Sequence, residues 1–430
     1  MRIGLTPRPA QGLAFAGLVV FTVVLYVRPN DLLPIGTFPV VKIIAIGTLI
    51  AFFLESILAR TALVMPPLFR YLLGLSAFMI LSIPFGLDAA ASYAAVTDGF
   101  LKVILIFIVI INTVRSFARI RIVIEVMVLS GALVAVATLL GYLAGRNIVE
   151  GLRASGGVGG IFGNPNDLAL AMNMLVPLAV GTYFLRTNAI LRSLYAACAV
   201  LFVTIVVLTH SRAGFLTLIV VMSLLLVRLG PRHRTVWGAG AVIATTLMVA
   251  SPGTFWSRIL TLFAGSAGGD LSAAESATAR WGLIRRSLEV AGTNPIRWLF
   301  GVGVENFHIV SDRELVNHNA YLQVFNEAGV VAFVCYVAFL VGAVRITARV
   351  RRQCERGRSH RRVWVSAVSL EACLVAYLVG SFFASVAFLW YVYYPAGFAV
   401  CLQQVVRKVR PAVAKSEAAP RVWYLRRVQH

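Results

Sequence analysis

A histidine between two asparagines is the feature of this sequence best suited to chemistry. It lies in NHNAYLQVFNEAG, residues 317–329, directly before an apolar run. An imidazole with an unperturbed pKa of ~6.5 can remove a proton from a hydroxyl group, although a histidine at a helix start can equally serve only the backbone. His318 is therefore a candidate general base. Asn317 and Asn319 are placed to orient it or to bind a substrate.

Arg212 is a second candidate, in the short turn THSRAG at residues 209–214, between two long apolar runs. Arginine keeps its charge at ordinary pH, and its planar guanidinium suits two-pronged contact with phosphate oxygens. The same sequence also fits a simple turn with an arginine at the membrane interface. We therefore treat Arg212 as a candidate anion-binding residue.

Arg280 is a third candidate, in LSAAESATARWGLIRRSLEVAG at residues 271–292. Ser272 followed by Glu275 predicts a capped helix start, and Gly292 can end the helix.

A helical wheel places Arg280 at the border of the apolar face, beside Ser276 and Ser287, from where it can reach a buried anion. Arg285 and Arg286 point away from that face, toward water. The apolar face comprises Ala277, Trp281, Ile284, Leu288 and Ala291.

Other polar residues have positions that suit substrate binding. Two lysines lie just inside apolar runs, where a charge is costly unless it snorkels to lipid head groups or faces a cavity. FGNPND, residues 162–167, predicts a turn and a helix start in which Asp167 can cap, while its asparagines can contact a sugar. The candidate substrate-binding residues are Lys42, Lys102, Arg153, Asn164, Asn166, Asn317, Asn319 and Tyr321.

The composition places these residues in a membrane protein. Only 13% of the 430 residues are charged, and the mean hydropathy of +0.85 excludes an ordinary soluble domain. We predict an all-α polytopic membrane protein with about twelve transmembrane helices, because apolar runs able to cross ~30 Å of hydrocarbon recur along the chain. They lie near residues 11–27, 40–54, 68–83, 100–112, 122–143, 168–185, 193–209, 213–227, 237–250, 324–344, 364–387 and 389–406.

Basic residues set the predicted orientation. They concentrate in alternate short loops, and residues 345–362 hold eight arginines against one acid. Because basic short loops stay cytoplasmic, both termini are predicted inside, and the net charge of +22 is a topology signal rather than a sign of nucleic-acid binding. The predicted organisation is helices one to nine in 1–250, a large outer loop in 251–323 containing Arg280 and His318, helices ten to twelve in 324–406, and a basic cytoplasmic tail in 407–430.

Nothing in the sequence calls for a cofactor. The five cysteines lie in predicted helices or in the cytoplasmic loop, and no His, Cys, Asp or Glu cluster has the spacing of metal ligands. GVGVENF, residues 301–307, is glycine-rich but lacks the strand–helix unit of a nucleotide site.

The order of these motifs resembles a known family. FGNPND, HSRAG, an arginine-bearing helix in a large outer loop, GVGVENF and HNAYLQVFNEAG follow one another as in lipopolysaccharide O-antigen ligases. The ligases share a superfamily with O-antigen polymerases and protein O-oligosaccharyltransferases. Their histidine motif, a histidine and a small polar residue followed by nine positions and a glycine, matches His318, Asn319 and Gly329. The resemblance covers about residues 100–345 by motif and the whole chain by topology.

The resemblance implies a glycosyltransferase of the Gram-negative inner membrane with a periplasmic active site. Such a ligase moves O-polysaccharide from undecaprenyl diphosphate onto lipid A–core oligosaccharide, without a metal or a nucleotide sugar. The family's two functional arginines map to Arg212 and Arg280, and its histidine to His318. Two arginines suit this reaction, because cleavage of a glycosyl–diphosphate bond develops negative charge on the leaving phosphate. The expected partners are the lipid-linked donor, the lipid A–core acceptor and membrane lipids, but no nucleic acid.

Two kinds of alternative stay open. An O-antigen polymerase or a protein O-oligosaccharyltransferase of the same superfamily would share most of the motifs. A transporter or flippase for lipid-linked sugars belongs to a different class and would need a midplane site, broken helices and repeats. The unusual polar residues of this chain lie at the predicted outer face instead, which favours a transferase.

Overall fold

The protein is built almost entirely of α-helices. The computed structural model describes residues 12–32, 39–233, 238, 271–311, 317–355 and 361–417, and of residues 30, 32, 161, 271–281 and 409–417 it describes the backbone only. The first helices are α1 (Gly12–Val27), α2 (Pro29–Leu32), α3 (Val40–Leu58), α4 (Phe69–Ser82), α5 (Ala89–Ala94), α6 (Leu101–Thr113), α7 (Phe117–Leu143) and α8 (Pro165–Leu185). They are followed by α9 (Ala189–Leu208), α10 (Arg212–Leu229), α11 (Leu271–Gly292), α12 (Pro295–Phe300), α13 (Phe307–Val310), α14 (Ala320–Cys354), α15 (Arg361–Gly380) and α16 (Tyr393–Glu417).

Short elements connect some of these helices. A π-helical segment, Ala95–Phe100, runs from α5 into α6, and a 3-10 turn, Ser381–Phe383, follows α15. Between α7 and α8 the strands β1 (Ile148–Val149) and β2 (Arg153–Ala154) form a small antiparallel hairpin.

Side-chain caps fix where many helices begin. A serine or asparagine with extended backbone accepts a hydrogen bond from the first turn and so satisfies an otherwise unpaired N–H group. These caps are Ser116 for α7, Asn164 for α8, Asn188 for α9, Ser211 for α10, Asn294 for α12 and Asn319 for α14.

Eight helical segments in the described part of the chain are long and apolar enough to cross a membrane. Two further apolar segments, Gly12–Val27 and Phe69–Phe85, are shorter. These findings confirm an all-α polytopic membrane protein, but they do not establish the predicted number of twelve helices. The predicted ninth span at 237–250 and most of the predicted tail at 407–430 lie outside the described residues. The predicted division into domains stays a prediction.

The bundle has a loop end, which comprises residues 28–32, 143–165, 208–212, 292–311, 317–320 and 380–393. Contacts between distant segments bring these loops together. Asp31 accepts a hydrogen bond from the Gly159 amide at 2.8 Å. Gln323 accepts one from the Ala387 amide at 3.2 Å. α1 therefore ends near the segment that joins α7 to α8, and α14 begins near the segment that joins α15 to α16.

The opposite end, which we call the arginine end, comprises Arg119, Arg186, Arg228, Arg351 and Arg361. Buried carboxylates compensate part of its charge. The Arg351 Nε atom lies 2.6 Å from Glu371 Oε2, and both side chains are less than a tenth exposed. Arg228 approaches the same carboxylate at 3.8 Å. Glu371 thus links α10, α14 and α15 through one buried charge.

α14 is kinked at Gly329, the glycine of the histidine motif. Its backbone has φ 84° and ψ 177°, a conformation that is essentially restricted to glycine. A Cβ atom at this position would overlap the carbonyl group of Leu299. The sequence motif therefore ends in glycine because α12 packs against the backbone of the kink.

GVGVENF, residues 301–307, packs against the same kink, and we call this segment the clip. The amides of Val302 and Gly303 donate to the carbonyls of Asn326 and Glu327, at 2.7 and 3.1 Å. Asn306 Nδ2 donates to the Asp88 carbonyl at 3.0 Å at the start of α5. The clip therefore joins α5 to the short first part of α14, and its glycines serve backbone packing.

Candidate functional site

Arg153 is the centre of a polar cluster at the loop end. Its Nε atom donates to the Thr209 carbonyl at 3.1 Å, and its Nη2 atom donates to Asn166 Oδ1 at 2.9 Å. The Ser211 hydroxyl donates to the same Asn166 oxygen at 2.8 Å. The arginine also pairs with Glu150 at 3.3 Å. The structure thus joins FGNPND directly to THSRAG, two motifs more than forty residues apart in the sequence.

The start of α10 is held firmly against α8. Asn173 Nδ2 donates to the Gly214 carbonyl at 2.9 Å. A Cβ atom at Gly214 would come within 2.6 Å of the Ala169 Cβ atom, so only glycine allows this approach. Asn164, predicted to bind a sugar, accepts the Asn166 amide at 2.8 Å as the cap of α8.

Arg212 is the first residue of α10 and follows the cap Ser211. It is partly buried. The N-terminus of a helix carries partial positive charge, which favours anions. Arg212 therefore lies at the positive end of a helix, three residues after Thr209, whose carbonyl accepts a hydrogen bond from Arg153.

His318 lies in a tight turn directly before α14. Its backbone φ is 47°, in the left-handed region that non-glycine residues seldom occupy. Asn319 accepts hydrogen bonds from the amides of Tyr321 and Leu322, at 2.9 and 3.1 Å, and so caps the helix. Asn317 is buried, and its Oδ1 atom accepts a hydrogen bond from Asn326 Nδ2 at 2.8 Å. The two asparagines therefore fix the turn from both sides.

The helix carrying Arg280 is connected to this turn through Asn326. Asn326 Nδ2 also donates to the Ser287 hydroxyl of α11 at 2.8 Å, and Ser287 is fully buried. Arg280 precedes Ser287 by seven residues in one continuous helix, which places both on the same face by register. The Arg280 side chain itself lies outside the described residues.

The predicted wheel of α11 was wrong in two respects. Leu288 is 59% exposed rather than packed. Arg286 does not point freely to water, because its Nε atom donates to the Val310 carbonyl at 2.9 Å. Of the two adjacent arginines, Arg285 is the solvated one, with its side chain 84% exposed. Among the described side chains, the buried face is formed by Leu283, Ser287, Val290 and the predicted Ala291, whereas those of Ala277 and Trp281 lie outside the described residues.

Three other predicted binding residues have contacts of their own. Lys42 is exposed in the first turn of α3. Lys102 pairs with exposed Asp98 at 3.3 Å, so the structure gives it a partner on its own helix. Tyr321 donates its hydroxyl to the Leu378 carbonyl at 2.9 Å, which anchors α14 to α15. A role for these residues in substrate binding stays a prediction.

The turn at residues 381–383 lies between the Arg153 cluster and the His318 helix. Phe383 lines a small cleft together with Asn166 and Gly214. Its neighbour Phe382 packs against the Tyr321 ring, with centroids 4.3 Å apart. Both groups of predicted site residues therefore flank one turn at the loop end.

Asn326 and Ser287 were missed as site residues in the sequence. Both are buried polar side chains: Asn326 bonds to Asn317 of the His318 turn, and Ser287 bonds to Asn326. A serine on a helix and an asparagine before a glycine look ordinary in sequence, and the signal that could have found them is the spacing of Asn317 and Asn326.

In the described residues, no group of three or more His, Cys, Asp or Glu side chains could hold a metal ion. The absence of a cofactor stays a prediction.

Comparison with known families supports the relationship that the motifs indicate. Residues 197–337 match the family model described as O-Antigen ligase. This range contains Arg212, Arg280 and His318. The match confirms the resemblance and supports membership of the O-antigen ligase/polymerase superfamily. No curated protein matches the chain.

Proposed function

We propose that the protein is an O-antigen ligase, a glycosyltransferase that moves O-polysaccharide from undecaprenyl diphosphate onto lipid A–core oligosaccharide. The observation that carries this proposal is the family match over residues 197–337, which spans both the THSRAG turn and the histidine motif. The structure supports it by placing polar residues of FGNPND, THSRAG and the histidine motif around the same end of the bundle.

The loop end faces the periplasm of the Gram-negative inner membrane in this proposal, and both termini are cytoplasmic. Its support is the distribution of basic residues, since the short loops at the opposite end are rich in arginine. The lipid-linked donor and the lipid A–core acceptor then both approach from the outer leaflet.

Arg212 and Arg280 are proposed to bind the diphosphate of the donor. Arg212 combines its own charge with the positive N-terminus of α10. Arg280 lies by register on the α11 face that carries Ser287, which Asn326 links to the His318 turn. As the bond between the sugar and the phosphate breaks, negative charge grows on the leaving phosphate oxygen, and fixed cations stabilise that charge.

His318 is proposed to act as the general base. The acceptor hydroxyl oxygen attacks the anomeric carbon of the donor sugar, and its proton passes to the imidazole. The bond from the anomeric carbon to the phosphate oxygen breaks, and undecaprenyl diphosphate leaves. General acid–base assistance of this type contributes typically ~10²–10⁴-fold to the rate. The proposed reaction uses no metal ion.

Lipopolysaccharide from a deletion strain tests the proposal. A ligase deletion should leave bare lipid A–core while long O-polysaccharide accumulates on undecaprenyl diphosphate. Lipid A–core bearing a single O-unit would instead identify a polymerase, the main alternative within the superfamily. If the lipopolysaccharide is unchanged but periplasmic proteins are no longer glycosylated, the protein is a protein O-oligosaccharyltransferase.

A further inference from the structure

Asn326 connects the His318 turn to α11. Its side-chain amide donates one hydrogen bond to Ser287 Oγ and one to Asn317 Oδ1, both at 2.8 Å. An asparagine side chain has two N–H groups, so these two contacts use its full donor capacity. The residue is 2% exposed.

The backbone of Asn326 is fixed independently of the turn. Its carbonyl oxygen accepts the Val302 amide of the clip at 2.7 Å, and Gly329 ends the helical segment three residues later. The backbone of Asn326 is therefore fixed, and its side chain reaches Asn317 in the segment before α14.

The turn needs such a contact because His318 has a left-handed backbone. A non-glycine residue persists in that conformation only when its surroundings hold it there. On one side Asn319 is tied to the first turn of α14. On the other side, the described contact of the Asn317 side chain is its bond to Asn326.

Stability alone does not account for this pair of amides. Asn317 Nδ2 and Asn326 Oδ1 are buried and have no hydrogen-bond partner among the described residues. A buried polar pair that is only half satisfied gains little stability over apolar side chains of the same shape. What the asparagines provide is a directed contact.

We infer that Asn326 is a positioning residue, whose amide holds Asn317 and thereby sets the position of the His318 imidazole relative to α11 and Arg280. This inference rests on the proposed function. It adds a residue that touches neither substrate but determines the geometry of the base.

The test uses the purified full-length protein with undecaprenyl-diphosphate-linked O-polysaccharide and lipid A–core. Asn326→Ala should lower kcat by ~10²-fold, the loss typical of misplacing a catalytic group by about an ångström. KM for the donor should stay at the wild-type value, because the diphosphate contacts are retained. Asn317→Ala should have the same effect. The double variant should be no slower than either single one, since both changes break the same contact.

Asn112→Ala is the matched control. Asn112 is a fully buried asparagine at the arginine end with hydrogen bonds to Val64 and Ile108. Its loss should lower thermal stability and leave kcat of the folded protein unchanged.

Each result separates the two proposals. A wild-type protein without ligation would overturn the proposed function, and the inference with it. If the wild type ligates but Asn326→Ala keeps its kcat, the inference alone is wrong. The inference would also be wrong if the two losses of kcat multiplied in the double variant. It would be wrong as well if Asn326→Ala and Asn112→Ala lost kcat equally, because either result indicates a purely structural role.

Discussion

The two histidines of the principal motifs have the same backbone geometry. His210 in THSRAG and His318 in NHNAY have φ values of 48° and 47°, and each directly precedes the cap of a helix. Histidine is among the few residues other than glycine that are enriched in this conformation. In both motifs the following cap starts a helix at the loop end. The shared turn thus places Arg212 and Ala320 as the first residues of their helices.

The planar shape of the guanidinium group gives the first prediction about single residues. Arg212→Lys and Arg280→Lys should both severely impair ligation despite keeping the charge, because an ammonium group cannot make a two-pronged contact with phosphate. The measurement is O-polysaccharide attachment to lipid A–core in cells, at matched membrane levels of each variant.

Arg285→Lys is the control, because its side chain is 84% exposed and pairs only with Glu289 on the same helix among the described contacts. It should ligate like the wild type. Full activity in Arg212→Lys and Arg280→Lys would contradict bidentate recognition by these residues.

Gly329 supports a second prediction. Gly329→Ala should lower the free energy of unfolding by more than about 3 kcal/mol. The backbone conformation of Gly329 alone costs other residues ~1–3 kcal/mol, and the added methyl group would also overlap Leu299. Thermal unfolding of the purified protein measures the loss. Gly145 is a suitable control, since it has φ 71° but open space around it, and Gly145→Ala should cost only ~1–2 kcal/mol. Equal unfolding temperatures for the two variants would show that the packing at the kink is not tight.

Among the helices, α11 shows what the sequence could and could not predict. The helix ends at the predicted glycine, Gly292, but Leu271 is already helical, so Ser272 is not the cap at its start. The predicted face was wrong in part because it was chosen by hydrophobicity, whereas the surface that α11 contacts includes the polar side chain of Asn326. Ser287 is therefore buried, and Leu288 is exposed. Local signals predict where a helix begins and ends, but the rotation of a helix depends on its neighbours.

The same distinction holds for the loops. FGNPND was interpreted as a turn with a helix start and THSRAG as a short turn, and both are. The predicted cap was wrong, because Asn164 caps α8 and Asp167 lies inside its first turn. That Arg153 bonds to both motifs could not be predicted, because the contact closes over more than fifty residues of chain. The role of the glycines of the clip could likewise be inferred only from the structure, in which they pack against the kink at Gly329.

Glu371 supports a prediction about helix association. Glu371→Ala removes the carboxylate that pairs with Arg351 at 2.6 Å and approaches Arg228, which leaves a buried guanidinium without its nearest charge partner. Breaking a buried pair in this way costs about 3–5 kcal/mol. Unfolding of the purified protein should show this loss. Glu289→Ala, which removes an exposed pair on α11, should change stability by less than about 1 kcal/mol. A similar small effect for both variants would mean that Glu371 does not hold α10, α14 and α15 together.

For the whole molecule, the separation of its two ends is the main structural result. Polar loops and the predicted site residues gather at the loop end, while arginines and their buried carboxylates gather at the other. These two chemically different ends are the basis of the proposed orientation, because arginine-rich loops remain in the cytoplasm.

Cysteine labelling in intact cells checks that orientation. A membrane-impermeant maleimide should label Arg285→Cys on α11, which is exposed at the loop end. It should label Thr187→Cys, exposed between α8 and α9 at the arginine end, only after the membrane is permeabilised. Of the native cysteines, four are buried and Cys335 is partly buried, so background labelling should be low. The reverse pattern would place the loop end in the cytoplasm and exclude a periplasmic reaction.

The most direct test of the central claim is transfer by the purified protein, with His318→Ala beside the wild type. Lipid-linked O-polysaccharide and lipid A–core are incubated with each protein in excess EDTA, and polymer attached to lipid A–core is measured. The wild type should form this product without added metal. His318→Ala should form it at least ~10²-fold more slowly, because a general base contributes at least that much to the rate. Near-wild-type transfer by His318→Ala, or no transfer by the wild type, would contradict the account.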